Sequence, residues 1–182
     1  MPKVNKEDRK LIKQLPHSEL ANIVIKLISK DKNAYNLVYL SYLNQETGEK
    51  DVYEKTLLNI EACFYKSFRG SMQSQRDAKM LSACIKELNS FTKISKNKTM
   101  EADLIMVILK EAIINRKDSF GSYFTAFDNK VAQILKRLLT IITKKIHPDY
   151  LIDYQEDVNI YLKIFSKYSC HNDFTYELPK NI

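Results

Sequence analysis

Apolar residues at helical spacing run through almost the whole chain, and only three glycines interrupt its 182 residues. Spacing of i, i+3, i+4 and i+7 places apolar side chains on one face of a helix. The expected fold is therefore all-α: a single-domain irregular or antiparallel helical bundle of about seven or eight helices, with stacked helical hairpins as a variant.

Leu11, Ile12 and Leu15 form the first pattern, which Pro16 stops. Ser18 suits the N-cap of a second helix carrying Leu20, Ile23, Val24, Leu27 and Ile28. Asp31 suits the cap of a third, on which Tyr35, Val38, Tyr39 and Tyr42 share a face. A polar turn over 44–48 leads to a helix from Asp51 with Val52, Leu57, Leu58, Ile60, Phe64 and Phe68. After a break at 69–71, another helix begins near Gln75 and carries Met80, Leu81, Cys84, Ile85 and Leu88.

Thr99 is the expected cap of the segment 101–115, EADLIMVILKEAIIN. Its apolar residues cover nearly the whole circumference at about 100° per residue, so it wants neighbours on most sides. It is the expected central helix. An irregular aromatic stretch follows around Gly121, and then Val131, Ile134, Leu135, Leu138, Ile142 and Ile146 form a clean stripe. His147-Pro148 ends it. The last helix, 149–168, presents Tyr150, Leu151, Tyr154, Val158, Tyr161, Leu162, Phe165 and Tyr168. No Pro/Gly/Ser-rich linker divides the chain, so residues 1–182 read as one domain with 169–182 as a strap or tail.

Charge is the main functional signal. Twenty-nine Lys and Arg against 22 Asp and Glu give +7, enough for weak attraction to anionic surfaces. Lys130, Arg137 and Lys144 recur every seven residues and align along one helix side. Such a stripe is a candidate for nucleic-acid phosphates, or else a solvated face. Lys66, Arg69, Arg76 and Lys79, then Lys93, Lys96 and Lys98, supply further basic positions. Asp149, Asp153 and Asp157 make an opposite, acidic face on the helix that follows.

No catalytic residue is assigned. Isolated glycines supply neither a P-loop nor a dinucleotide fingerprint, and no GxSxG elbow occurs. His17, His147 and His171 belong to no HExxH-like set, and no Glu-x-x-His pair accompanies the acidic face, so no metal or cofactor is expected. Cys63, Cys84 and Cys170 form no CxxC pair; the first two sit in apolar helix patterns as buried thiols. Tyr123, Phe124 and Phe127 near Gly121 are candidates for lining a small-ligand pocket, against packed core or loop anchor. No apolar run reaches membrane-spanning length, and the charged opening MPKVNKEDRK lacks the apolar segment of a signal peptide. A cytoplasmic location without transmembrane insertion is expected.

The segments LIKQLPHSELANIVIKLISKDKNAY, DVYEKTLLNIEACFYKSF, QRDAKMLSACIKEL, MEADLIMVILKEAI and SYFTAF follow one another along the chain. In this order and character the sequence resembles the bacterial domain of unknown function 6155 family, from Lys10 to about Tyr168. Its tail lacks the aromatic and glycine-rich ending of some members. The resemblance implies an all-helical protein and supplies no catalytic residues. The leading functional expectation is a non-enzymatic helical protein that binds a protein partner or itself through Tyr35, Tyr39 and Tyr42 or Tyr150, Tyr154 and Tyr161. Nucleic-acid binding along the basic stripe, and a small-ligand binder or enzyme without a recognised motif, are the alternatives.

Overall fold

The computed structural model describes residues 5–43, 48–169 and 178–182. The turn expected at 44–48 falls almost wholly outside them. So do Cys170, His171 and most of the expected strap. The described residues are helical and contain no strand. They group into two compact units, Met1–Glu49 and Lys50–Ile182.

The first unit holds α1 (Lys6–Gln14), α2 (His17–Ile28) and α3 (Lys32–Val38), the last continued by a π turn over Tyr39–Leu43. Asn5 caps α1 by accepting from the Asp8 N–H at 2.7 Å. Asp31 caps α3 as its position suggests, accepting from the Asn33 N–H at 2.8 Å. α2 starts two residues earlier than Ser18 implies. Pro16 fills the N-cap position, its fixed φ pre-set for entry to the helix. α3 packs on α2. Among the described residues, no apolar side chain of this unit is buried.

The second unit carries α4 (Gly48–Phe64, from Lys50 onward), α5 (Gln73–Thr92), α6 (Lys98–Lys110), α7 (Ala126–Lys144) and α8 (Leu151–Tyr168). α5, α6 and α7 pack on one another, and α8 packs on α7 and on the π turn Glu111–Asn115 that ends α6. The apolar character of 101–115 is met on most sides here, with Met106 and Val107 half-buried and Ile114 40% exposed. Leu104, Ile105, Ile108, Leu109, Ala112 and Ile113 are fully buried. Asn97, rather than Thr99, caps α6 by accepting from the Met100 N–H at 3.1 Å.

α4 lies against α5: the Asn59 amide donates to Glu87 at 3.1 Å, and the Tyr53 ring meets Phe91 edge-on. At the other end of the unit Phe120 stands edge-on to both Phe127 and Phe165, which joins the irregular segment to α7 and α8. That segment turns at Gly121, whose φ of 65° is a left-handed conformation costly for any residue with a Cβ. The buried Asp128 then holds the turn by accepting from the Gly121 N–H at 3.2 Å.

Candidate functional site

The basic stripe of α7 is divided by its surroundings. Lys144 is exposed and Lys130 half-buried. Arg137, at the centre, is committed inside the protein. Its Nε and Nη2 donate to Glu101 Oε1 at 2.9 and 2.6 Å, and its Nη1 donates to Asn89 at 2.8 Å. Lys98 reaches the other Glu101 oxygen at 2.6 Å. Glu101 is only 4% exposed. Burial alone would raise its carboxyl, but the hydrogen bonds from Lys98 and Arg137 hold it below the ordinary carboxylate range. Arg137 thus fastens α7 to α5 and α6, and three of its five donors are occupied before any phosphate arrives.

A second polar knot sits among α4, α5 and the end of α6. Asp77, 2% exposed, accepts from Arg116 Nη1 at 2.7 Å, from Ser119 Oγ at 2.6 Å and from the Gln73 amide. Arg116 also donates to Glu111 at 2.8 Å and to the Phe64 carbonyl at 2.9 Å. The connection before α5 is clamped onto that helix by Arg76 to the Gly70 carbonyl and Lys79 to the Arg69 carbonyl. A Cβ on Gly70 would come within 3.1 Å of the Arg76 side chain. Of the basic residues 66–79, Arg76 and Lys79 are engaged internally, whereas Lys66 and Arg69 are exposed. A cleft of about 170 Å³ remains beside Asp77 and Arg116, and another of about 360 Å³ lies between Ile113, Ile164 and Tyr168 with Lys117, Lys163 and Lys167 at its rim.

The aromatic candidates separate. Phe127 is fully buried against Phe120, whereas Tyr123 is 93% exposed and touches Phe124 edge-on at the surface. They do not converge on one concave site. On α8, Tyr154 and Tyr161 belong to the core. The Tyr154 hydroxyl donates to Asp103 at 2.7 Å, and burial pushes both phenols up, Tyr161 to about 12. Tyr150 alone of the three stands well exposed. Cys63 and Cys84 are buried and free, and burial beside the Cys63 thiol pushes the Cys84 thiol up, away from the nucleophilic thiolate. Among the described residues no group of three or more His, Cys, Asp or Glu side chains is placed to hold a metal ion.

The first unit behaves in the opposite way. Tyr35 stacks on Tyr39 at 5.9 Å, and Tyr42 stands 78% exposed. Leu11, Ile12, Ile23, Val24, Leu27, Leu37 and Leu43 all lie in solvent as well. Leu11 and Ile12, and Ile23, Val24 and Leu27, were legible as apolar helix patterns; Leu37 and Leu43 were not. Exposure itself was not legible, because a stripe looks the same whether it is covered or bare.

No family model, curated protein or solved structure matches this chain. Any functional reading therefore rests on geometry. Asp77, Glu101 and Arg116 are the organising polar residues that sequence reasoning passed over. A signal existed for Glu101: it precedes Leu104, Ile105 and Ile108 at i+3, i+4 and i+7, the spacing of a core face.

Proposed function

We propose that this is a non-enzymatic helical protein whose N-terminal unit binds a protein surface. The carrying observation is a helical unit with no buried apolar side chain among its described residues. Its helices run nine, twelve and seven residues, and isolated helices below about 12–15 residues are marginal in water. Units of such size need an added source of stability, and an apolar contact is the one its surface offers. A cytoplasmic location and membership of the bacterial domain of unknown function 6155 family go with this reading. Among the described residues, no helix is long and apolar enough to cross a membrane.

Two features support interaction over the alternatives. Arg137, the centre of the nucleic-acid stripe, is engaged by Glu101 and Asn89. The aromatic pocket candidates point apart. The reading is tested with a fluorescent dye that binds exposed apolar surface. Dilute protein is expected to enhance the dye several-fold, and Leu27→Glu to remove most of that signal while Tyr123→Ser leaves it. Absence of enhancement at every dilution would sink the proposal.

A further inference from the structure

We infer that the partner of this face is a second copy of the same chain, docked with α2 antiparallel to its counterpart. The inference rests on the interaction reading and names its occupant. Ten large apolar side chains of the first unit stand 42–78% exposed. They do not share one face: Ile25 lies on the far side of α2, so a pair formed on the α2 stripe draws on Ile23, Val24 and Leu27, 42–59% exposed.

Charge along α2 selects the copy and the direction. Leu20, Ile23, Val24 and Leu27 define the apolar stripe, and Glu19, Lys26 and Lys30 fall within about 40° of one another on a single flank of it. The acid is at the start of the helix and the bases are at and just beyond its end. In a two-fold antiparallel pair each flank meets the same flank of the copy, run backwards. With the pair centred on Ile23 and Val24, Glu19 of one copy comes level with position 28 of the other, between Lys26 and Lys30. Symmetry makes that contact twice. A parallel two-fold pair instead carries this flank to opposite sides of the contact in the two copies, so Glu19 meets neither Lys26 nor Lys30 of the other. The helix dipoles, aligned in a parallel pair, oppose each other in the antiparallel one. A foreign partner would have to supply this charge order; the copy already has it.

The test is the mass of the full chain by sedimentation equilibrium across a dilution series, with dye binding measured on the same samples. The wild type is expected to approach twice 21.3 kDa and to dissociate on dilution, with dye binding rising as it does. Leu27→Glu should weaken association at least about 100-fold, and Glu19→Lys about tenfold. Adding Lys30→Glu to Glu19→Lys should restore association to within about threefold of wild type, since each copy then presents the reversed pair. These residues are exposed, so helical content should hold.

Each other outcome is decisive. A wild type that stays monomeric overturns the inference. If that monomer binds dye and Leu27→Glu abolishes it, the face is open to a different protein and the interaction reading survives. If it binds none, both fall. A dimer indifferent to Leu27→Glu places the contact elsewhere and overturns the inference. A charge-swapped double variant weaker than Glu19→Lys overturns the antiparallel register.

Discussion

Glu101 shows how a single carboxylate can be turned from a surface charge into a fastening. It sits on the core face of α6, is only 4% exposed, and is kept ionised by Lys98 and Arg137. Its carboxyl is depressed in the folded state, so its contribution is complete above its ordinary value of 4.5 and is lost as pH falls through the lower folded value. Arg137→Met should cost about 2 kcal/mol at neutral pH, between the worth of exposed and of buried pairs. It should also flatten the acid limb, because Glu101 left with Lys98 alone is less depressed. Urea denaturation at pH 7 and pH 3.5 checks both; an acid limb as steep as wild type would contradict this role. The periodicity of α7 placed Arg137 beside Lys130 and Lys144, but could not show that a carboxylate on another helix had claimed it.

At the level of the element, α2 and α6 carry comparable sequence signals and meet different fates. Both show apolar residues at helical spacing and an Asx or Pro entry. α6 is enclosed by α5 and α7. α2 leaves Ile23, Val24, Ile25 and Leu27 between 42 and 59% exposed. Ile108→Ala is therefore expected to cost about 2–4 kcal/mol through the transfer and cavity terms. Val24→Ala in dilute solution should change global stability by no more than about 0.5 kcal/mol. Thermal melts of the two variants at low concentration check the contrast; equal losses would mean that Val24 is covered. Helix starts were legible to within a few residues. The misses came from caps that several residue types satisfy: Pro16 in place of Ser18 and Asn97 in place of Thr99.

For the whole chain, the difference between the two units predicts a division of stability. The second unit encloses Phe91, Phe127, Phe165 and Ile105 with essentially no exposure, along with the aliphatic layers of α5, α6 and α7. The first has nothing comparable among its described residues. Native-state hydrogen exchange should find the slowest amides in α5, α6 and α7, with those of α1–α3 at least about 100-fold faster in dilute protein. Raising protein concentration should slow α1–α3 selectively, because association there stabilises only what it orders. Uniform protection along the chain would contradict the division. No break in composition marks the boundary near Glu49, since both units are written in the same helical pattern.

The sequence by itself determined the all-helical class, because the apolar spacing and scarcity of glycine leave the backbone no other way to bury its apolar side chains. It determined the central place of 101–115, because a helix apolar on all sides is stable only when surrounded. Tertiary structure alone decided which stripes are covered, that Arg137 belongs to Glu101, that Tyr154 belongs to Asp103, and that Phe127 leaves Tyr123 at the surface. The physical reason is common to all four. Periodicity fixes the face on which a side chain lies, whereas burial and pairing depend on residues dozens of positions away, whose arrival at that face is a property of packing.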